Sequence, residues 1–362
     1  MGYSSFSISG GRLYTMGSAK SAEKLHAFDL ASGKLAWSVK VGDKFQNNRG
    51  SGPRGTPTIS GDLVYTLGTS GWLGCYKTSD GTEAWKLNVF ERFGSKNINW
   101  GLSESVLIEG DLLICGPGGM DSAVVALDRK TGKTIWTSKG LNDKAGYASA
   151  ITATIAGKRQ VIHFNHSSAV GVSLSDGSTL WRYTKASNGI ANCATPVVVG
   201  NNVFLTSDYG QGCAMLELSA SGAREIYFNK DLQNHHGGVV YLDGKIYGHS
   251  GGNSSRTHNF VCMDFKTGKV VWKEKGIGKC SIVWADGLLY CLTEDGKMGI
   301  AKVSPGGYEL VSSFVFKKYK RFKTGGIRDE DDKPCWAHPV VAGGKLFLRD
   351  QDNIFCYDIS SK

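Results

Sequence analysis

The chain has 362 residues, of which 41% are hydrophobic and 20% are charged. This composition excludes a disordered chain, and no apolar run approaches the ~20 residues that a membrane-spanning helix needs. Glycine contributes 49 residues, roughly twice its usual ~7% share, while proline contributes only 7. Many glycines and few prolines indicate numerous tight turns between short strands, so the composition predicts an all-β protein.

The formal net charge is +10, from 42 Lys and Arg against 32 Asp and Glu. Much of the excess lies in one short run, Lys317, Lys318, Lys320, Arg321 and Lys323. Such a run is typical either of a polyanion-binding loop or of a solvated loop face, and acidic residues 329–332 follow it closely. We expect the solvated face, and nucleic acid is not an expected partner.

Nine cysteines are spread singly along the chain, with no Cys-x-x-Cys motif and no adjacent pair. Several lie inside apolar runs, where a thiol behaves as a small hydrophobic side chain. We therefore expect mostly reduced core cysteines rather than a disulfide framework. The N-terminus lacks a basic region followed by an apolar one, so the sequence shows no signal peptide.

A repeat organises the whole chain. Five segments end in tryptophan, each with a glycine four residues earlier, at residues 28–37, 76–85, 127–136, 172–181 and 263–272. Degenerate copies end near Tyr227 and Phe314, so successive aromatic positions are 42 to 51 residues apart. Each unit has the pattern of four short strands joined by glycine-containing turns, and such a unit cannot bury both of its faces alone. Units that pack face to face in a ring form a β-propeller, so the sequence predicts that fold.

The repeat count predicts eight blades in a single domain over residues 1–362. We expect the blades to end near Trp37, Trp85, Trp136, Trp181, Tyr227, Trp272, Phe314 and the C-terminus. The spacing would place the last closing tryptophan near position 366, so blade eight is predicted to lack its outer strand. Propellers often borrow this strand from the N-terminal segment, and we expect such a segment, with a signal sequence, to precede Met1 in the full protein.

The repeat of aspartate, turn glycine and tryptophan resembles the pyrroloquinoline-quinone (PQQ) type of propeller repeat over essentially the full chain. That superfamily includes quinoprotein alcohol dehydrogenases, BamB-like assembly lipoproteins and many exported PQQ-like proteins. The resemblance implies that the repeat tryptophans pack adjacent blades together, and it implies export to the periplasm. Nine unpaired cysteines leave a reducing compartment such as the cytoplasm as the alternative.

The resemblance also raises the question of a cofactor. In quinoprotein dehydrogenases, PQQ lies over the central channel against a tryptophan, and carboxylate and amide ligands hold calcium beside it. This chain has no adjacent cysteine pair of the kind found near the quinone in many members, and its sequence does not place the calcium ligands. PQQ with calcium is therefore the less favoured expectation.

Two sets of loops are expected to open on the same face of the ring. These are the loops that enter each inner strand and those that join the second and third strands, and they aim many side chains at one axis. Aromatic rings stack on apolar ligand faces and cations pair with carboxylates, which suits a saccharide, another small molecule or a protein loop. The predicted ligand-binding residues are Arg54, Trp100, Tyr147, Asn192, Asp208, Lys279, Trp336 and Arg349.

Histidines are concentrated on the same predicted face. Neutral imidazole is a common transition-metal ligand and the usual acid–base group near neutral pH. His236, His249 and His338 are therefore candidate ligands of a divalent metal. The candidate catalytic residues are His235, His236, His338 and Asp350. Each histidine could instead cap a turn or bond a neighbouring strand.

The sequence leaves three functions open. The favoured one is a monomeric binding or scaffold module that acts through the top-face funnel, and it predicts an exposed apolar strip on a face or on the open eighth blade. The second is an enzyme on that face, either a quinoprotein-like oxidoreductase or a metal-assisted carbohydrate-active enzyme. The third is a polyanion binder that uses the basic run.

Overall fold

A computed structural model of the protein describes residues 1–251, 258–317 and 334–360. Within them, eight antiparallel sheets follow one another along the chain, and in each sheet neighbouring strands are also consecutive in that blade. Seven sheets have four strands and the last has three. The predicted all-β, eight-bladed propeller is confirmed. The basic residues 318–323 lie outside the described residues.

The first four blades, with the ribbon beside blade three, contain eighteen of the described strands. Blade one comprises β1 (Ser7–Ser9), β2 (Arg12–Ala19), β3 (Ala22–Asp29) and β4 (Leu35–Asp43). Blade two comprises β5 (Thr58–Ser60), β6 (Leu63–Leu67), β7 (Trp72–Lys77) and β8 (Glu83–Asn88), followed by a short helix, α1 (Val89–Phe93). Blade three comprises β9 (Leu107–Glu109), β10 (Leu112–Cys115), β12 (Val125–Asp128) and β13 (Thr134–Thr137), with a separate ribbon of β11 (Gly118–Met120) and β14 (Asn142–Lys144). The fourth blade's first three strands are β15 (Ile151–Ile155), β16 (Lys158–Phe164) and β17 (Ala169–Ser173).

The remaining strands complete the ring. Blade four ends with β18 (Thr179–Tyr183). Blade five comprises β19 (Val197–Val199), β20 (Asn202–Ser207), β21 (Gly212–Ser219) and β22 (Gly222–Asn229). Blade six comprises β23 (Val239–Leu242), β24 (Lys245–Ser250), β25 (Asn259–Asp264) and β26 (Val270–Glu274). Blade seven comprises β27 (Cys280–Ala285), β28 (Leu288–Thr293), β29 (Lys297–Ser304) and β30 (Gly307–Val315), and blade eight β31 (Val340–Ala342), β32 (Lys345–Asp350) and β33 (Asn353–Asp358).

Helical structure plays little part in the fold. Helix α1 has five residues, begins after the Asn88 side chain that accepts from the backbone of Phe90 and Glu91, and ends at the left-handed Gly94. Within the described ranges, no helix has the length and apolar character needed to cross a membrane.

Eight hydrophobic clusters lie between successive blades, one at each interface. At the first interface, Leu25 of blade one packs in the same cluster as Tyr76 of blade two. At the last, Phe347 of blade eight packs with Phe6 and Leu13 of blade one. The second strand of every blade is deeply buried because both of its faces meet neighbouring blades, so the hydrophobic core runs around the ring.

The repeat tryptophans bond the turn of the next blade. Trp37 Nε1 donates to the Thr78 carbonyl oxygen at 3.2 Å, and Trp85 Nε1 donates to the Arg129 carbonyl oxygen at 2.9 Å. Trp136, Tyr227 and Trp272 make the equivalent bond to the blade that follows each of them. Trp181 differs, because its Nε1 donates to Gln160 in its own blade.

The turn glycine of the repeat lies beneath the aromatic ring of the preceding blade. A Cβ atom on Gly81 would stand 2.7 Å from the Trp37 ring, and one on Gly132 would stand 2.8 Å from the Trp85 ring. Both glycines also have positive φ angles, +77° and +69°, which disfavour other residues. The tryptophan and the glycine of the repeat therefore form one contact across each of these blade boundaries.

A shift in strand register recurs between the third and fourth strands of all seven four-stranded blades within the described residues. Such a bulge redirects side chains locally. It places each repeat tryptophan opposite a small residue of the third strand, namely Ala27, Cys75, Ala126, Gly171 or Cys262.

Candidate functional site

A cavity of about 880 Å³ lies where the inner strands of the eight blades begin. Residues from every blade line it, so it occupies the axis of the ring, and we call it the funnel. The predicted residues that line it are Arg54, Trp100, Tyr147, His235, His236, Lys279, Trp336 and His338. They arrive there because the loop that enters each inner strand ends at the channel, as expected from the blade architecture.

Glu294 lies at the centre of the polar groups in the funnel. Its Oε1 atom accepts from Trp336 Nε1 at 2.8 Å, lies 2.9 Å from His236 Nε2, and forms a 2.9 Å ion pair with Lys279 Nζ. Burial alone would raise the pKa of Glu294, but the bond from His236 and the charge of Lys279 hold that pKa well below its usual value. The carboxylate is therefore ionised and weakly basic.

Two other funnel histidines are neutral. Burial, reinforced by the charges of His236 and Lys279, lowers the pKa of His235 well below its usual value. The His235 ring lies between Lys279 Nζ, 3.4 Å from Nδ1, and Tyr209 Oη, 3.5 Å from Nε2. Burial also lowers the pKa of His338, whose Nε2 lies 2.7 Å from the His236 carbonyl oxygen and so donates to it.

Arg54 forms part of the funnel wall. Its two terminal nitrogens donate to the carbonyl oxygens of Gly52 at 2.7 Å and Gly50 at 2.8 Å. Its guanidinium also lies over the rings of Tyr3 and Phe45, 5.6 and 5.3 Å from their centroids. These contacts fix the guanidinium as a rigid positive group, since its hydrogen bonds go to the loop that carries it.

A row of hydroxyl groups joins the inner strands at the funnel. The backbone nitrogen of Ser5 donates to Thr56 Oγ1 at 3.2 Å, that of Thr56 to Ser105 Oγ at 3.0 Å, and that of Ser105 to Ser149 Oγ at 2.9 Å. We call Thr56, Ser105 and Ser149 the hydroxyl row. Because each hydroxyl accepts from the preceding blade, its own proton is available, and within the described residues it donates to no protein group.

Tyr147 and Arg49 add two more donors to the funnel. Tyr147 Oη accepts from the backbone nitrogen of Trp100 at 3.3 Å, and its proton has no acceptor within the described part of the chain. Arg49 lines the cavity, and its guanidinium makes no hydrogen bond or ion pair with any described residue. The funnel is therefore rich in donors and poor in acceptors.

Five predicted site residues do not line the funnel. Asn192 instead ties two loops together, because its Nδ2 donates to the carbonyl oxygens of Asn165 at 2.7 Å and His166 at 2.9 Å. Asp350 pairs with Lys317 Nζ at 2.5 Å. The five residues, all buried, are Asn192, Asp208, His249, Arg349 and Asp350.

The hydrogen bonds of Arg349 join the two ends of the ring. Its Nη1 donates to the carbonyl oxygens of Ser4 at 2.8 Å and Met16 at 2.6 Å, and to Thr15 Oγ1 at 2.8 Å, while its Nε donates to the Gln351 carbonyl oxygen at 2.8 Å. Because these groups belong to blades one and eight, the residue joins the two ends of the chain. Arg349 therefore lies at the boundary of blades one and eight and does not line the funnel.

The expected metal site is not assembled. Among residues 1–251, 258–317 and 334–360, no group of three or more His, Cys, Asp or Glu side chains is arranged to hold a metal ion. His236 bonds Glu294, His338 bonds a backbone carbonyl, and His249 is buried outside the funnel lining with its ring 5.7 Å from that of His258. Among the described residues, the structure therefore does not bring His236, His249 and His338 together as a set of metal ligands.

The calcium-bound quinone implied by the fold also does not fit the funnel residues. Calcium takes six to eight oxygen ligands and prefers carboxylates. The described lining offers one carboxylate, Glu294, and three donors already occupy one of its oxygens. Cys193 lines the cavity singly, and burial raises the pKa of its thiol to about 12.

Sequence reasoning assigned no role to several funnel residues. Glu294 lies on a predicted loop, but its importance comes from three donors on blades six, seven and eight. The hydroxyl row had a usable signal, since a Ser or Thr recurs at the start of the inner strand in blades one to four. Arg49 lies in the loop from which Arg54 was predicted, but nothing in the sequence showed that its side chain also lines the cavity.

Comparison with known proteins agrees with the architecture. The sequence profile of the family described as outer membrane protein assembly factor BamB matches residues 21–274. No curated protein matches the sequence. Among solved structures, BamB from Moraxella catarrhalis has a TM-score of 0.66 at 15% identity, and the match covers 98% of this chain and 92% of that one.

Two further structures share the fold. The quinohemoprotein alcohol dehydrogenase from Comamonas testosteroni has a TM-score of 0.65 at 12% identity, over 95% of this chain and 69% of that one. The computationally designed Ika8 protein has a TM-score of 0.62 at 10% identity, over 98% and 96% of the two chains. At such identities the structures show a common fold alone. The profile, however, matches well over half of the sequence, and the chain therefore belongs to the family of the outer membrane protein assembly factor BamB.

Proposed function

We propose that this protein is a non-catalytic scaffold of the bacterial periplasm, and that its funnel holds an acidic segment of a partner protein. The observation that carries this proposal is the surplus of unused donors in the funnel. The hydroxyl row, Tyr147 and Arg49 present donors that find no acceptor among the described residues. Buried or half-buried donors of this kind are satisfied by a ligand rich in acceptors.

The charges of the funnel lead to the same ligand class. Its described lining carries three permanent cations, Arg49, Arg54 and Lys279, against the single carboxylate Glu294. Since Glu294 already pairs with Lys279, the two arginines are left to attract an anion. A carboxylate matches both the positive charge and the planar donor geometry of arginine.

Aromatic side chains supply the apolar part of the site. Trp336 packs against Tyr3 with ring centroids 5.0 Å apart, and Trp100 packs against Tyr147 at 5.8 Å. Aromatic anchors with arginine are common in the buried centres of protein interfaces. An acidic segment that also carries an apolar residue would therefore use both halves of the funnel.

The geometry favours binding over chemistry. The most central carboxylate, Glu294, is a weak base because its neighbours hold its pKa low. His338 donates its Nε2 proton to the backbone carbonyl oxygen of His236 and so does not offer it to a substrate. Because Glu294 and Lys279 pair with each other, the remaining donors are available for recognition of a ligand. The family's description as an assembly factor supports a protein partner and a periplasmic location.

Binding of short labelled peptides tests this proposal. A peptide with two Asp or Glu residues beside one Phe should bind the wild-type protein, while its Asn and Gln counterpart should bind about tenfold more weakly or not at all. Fluorescence anisotropy at low and high salt measures the affinity of both peptides. The affinity of the acidic peptide should fall as the salt concentration rises. Equal binding of the two peptides would contradict the proposal.

A blocked funnel provides the matched control. Thr195 is exposed and lines the cavity, so Thr195→Trp should fill it without disturbing the core and should abolish peptide binding. Thr179 is equally exposed on the outer strand of blade four, so Thr179→Trp should bind like wild type. Peptide binding that survives Thr195→Trp would place the ligand elsewhere, and competition by glucuronate alone would assign the funnel to acidic sugars.

A further inference from the structure

The hydroxyl row faces the funnel with protons that the described part of the protein does not use. Thr56, Ser105 and Ser149 lie just before the inner strands of blades two, three and four, and each accepts a backbone hydrogen bond from the blade before it. Three neighbouring blades therefore present three O–H donors side by side. Because each hydroxyl has one proton to donate, the row matches a ligand group with several acceptor oxygens close together.

The next hydroxyls along two of these inner strands are already used. Thr58 lies two residues beyond Thr56 and so on the same face, and Ser7 has the equivalent place in blade one. Ser7 Oγ donates to the Pro57 carbonyl oxygen, and Thr58 Oγ1 donates to the Val106 carbonyl oxygen at 2.6 Å. At the level after the row, blades one and two therefore offer a ligand no hydroxyl donor.

The wall opposite the row is apolar. In a ring of eight blades, blades six and seven face blades two and three. Near the start of their inner strands, the side chains that line the cavity are those of Val239 and Ile282, which have no hydrogen-bonding group. The funnel therefore has two sides at this depth, with hydroxyl donors on one and aliphatic side chains on the other.

Positive charge lies beside the row. Arg54 precedes Thr56 by two residues and lines the same cavity. Hydroxyl groups form short, strong hydrogen bonds with ionised oxygens, and a carboxylate supplies two such oxygens in one plane. A carboxylate can therefore satisfy two hydroxyls of the row at once, next to the charge of Arg54.

The size of the cavity favours a chain end over a loop. Its volume of about 880 Å³ lies within the ~300–1,000 Å³ that is typical of a pocket for one small ligand. A loop brings two chain segments into this space side by side, about 4.8 Å apart when they pair as strands. A chain end brings one segment, and a C-terminus also brings the α-carboxylate that an internal segment lacks.

We propose that the funnel receives the C-terminus of the partner protein, and that the last residue of the partner is aliphatic. Its α-carboxylate accepts from the hydroxyl row, and its side chain packs against Val239 and Ile282. The acidic residues of the segment lie nearer the mouth, where the exposed Arg49 lines the cavity. Capture of a C-terminal carboxylate is a recurring mode of peptide recognition. The inference rests on the proposed function, since it names the part of the acidic partner that the funnel binds.

Two labelled peptides that differ at the C-terminus test this inference. Each contains two Asp residues and one Phe and ends in Val, one as the free acid and the other as the amide. The amide carries one extra Asp beside the label, so that the two net charges are equal. Fluorescence anisotropy should show that the free acid binds at least about tenfold more tightly. Equal affinities would overturn the inference and leave the proposed binding of acidic segments in place.

A complete loss of binding is also informative. If neither Val peptide binds while an acidic peptide without a C-terminal Val does, the inference fails and the proposed function stands. If no acidic peptide binds, both fail. The Thr195→Trp protein, whose funnel is blocked, should bind neither Val peptide, and unchanged binding there would place the C-terminus outside the funnel.

A matched pair of valine variants tests the apolar wall. Val239 and Val197 are each the first residue of an inner strand, both are half-buried, and both pack against the same hydrophobic cluster. Of the two, Val239 alone lines the funnel. Val239→Thr should reduce the preference for a free-acid peptide that ends in Val over one that ends in Thr by about fivefold, because it places a hydroxyl against the aliphatic side chain.

The control variant, Val197→Thr, should keep the wild-type preference. Thermal unfolding verifies that both variants are folded and that they lose similar stability. A preference that is unchanged in Val239→Thr, or reduced equally in Val197→Thr, would overturn the assigned place of the last side chain.

Discussion

The guanidinium of Arg349 donates a 2.8 Å hydrogen bond to the carbonyl oxygen of Ser4, which lies 345 residues earlier in the chain. Together with the small Phe6, Leu13 and Phe347 cluster and the packing of Tyr3 against Trp336, this bond joins blade eight to blade one. Among the described residues, blade eight has no outer strand that could add an aromatic contact at this boundary.

Removal of this arginine should open the ring at its weakest boundary. Arg349→Leu keeps an apolar side chain in place but leaves the buried carbonyl oxygens of Ser4, Met16 and Gln351 without a donor. We expect a loss of roughly 3–5 kcal/mol in the free energy of unfolding. Urea denaturation followed by tryptophan fluorescence measures it.

The control for Arg349→Leu is an exposed arginine. Arg224 pairs with Glu217 on the surface, and both side chains are well exposed. Arg224→Leu should therefore change the free energy of unfolding by less than about 1 kcal/mol. Similar midpoints for the two variants would show that Arg349 does not hold the ring closed.

Substitution of alanine for each of two turn glycines should distinguish the energetic cost of backbone strain from the cost of a clash with tryptophan. Gly33 and Gly132 have nearly identical φ angles, +68° and +69°, but only the Gly132 position has an indole within 2.8 Å of its would-be Cβ. Gly33→Ala should cost about 1–2 kcal/mol of unfolding free energy, and Gly132→Ala about 1–3 kcal/mol more. Thermal unfolding of both variants checks this. Equal losses of unfolding free energy would mean that the Trp85 ring moves away from the new methyl group without an energetic cost.

Glu294 should make the wild-type protein acid-sensitive. Its pKa is lower in the folded protein than its usual value of 4.5, so the stability it contributes is complete above about pH 4.5 and is lost as the pH falls toward the lowered pKa. Glu294→Gln cannot titrate and should lose less stability over that interval. Melting temperatures between pH 3 and pH 7 measure the difference, and parallel curves would contradict the assigned cause.

His249 should contribute a second acid effect at higher pH. Burial lowers its pKa to about 3, so the folded state holds it neutral while the unfolded chain takes up a proton below pH 6.5. Going from pH 7 to pH 5 should therefore cost the wild type up to about 2 kcal/mol more than His249→Phe. Urea midpoints at the two pH values test this. His26, whose pKa burial lowers to about 4, titrates in both proteins and cancels.

Much of the fold could be predicted because its determinants are local. The glycine and tryptophan four residues apart specify a turn and a closing strand within one blade, and their spacing sets the number of blades. The missing outer strand of blade eight followed from the same count and is confirmed. Packing of the repeat tryptophans between blades was expected from the resemblance, but the turn glycine Gly132 as the partner of Trp85 was not, since that contact requires the ring geometry.

The candidate site was harder to predict because side chains expected on the same face of the ring have different surroundings. His235, His236 and His249 were all expected on one face, yet the first two line the funnel and the third is buried outside its lining. Asn192 and Arg349 have polar groups that suit a ligand, but these groups donate their hydrogen bonds to nearby backbone carbonyl oxygens. A sequence does not show which acceptors lie within hydrogen-bond distance.

The sequence alone determined the all-β character, the eight blades and the three strands that the described residues form in blade eight, because each depends on turns and strands only a few residues long. The tertiary structure decided which groups meet. Glu294 gained its three donors, the hydroxyl row formed across the inner strands, and Arg349 met the carbonyl oxygens of Ser4 and Met16. These groups are far apart along the chain, and only the packing of eight blades around one axis brings them within reach of each other.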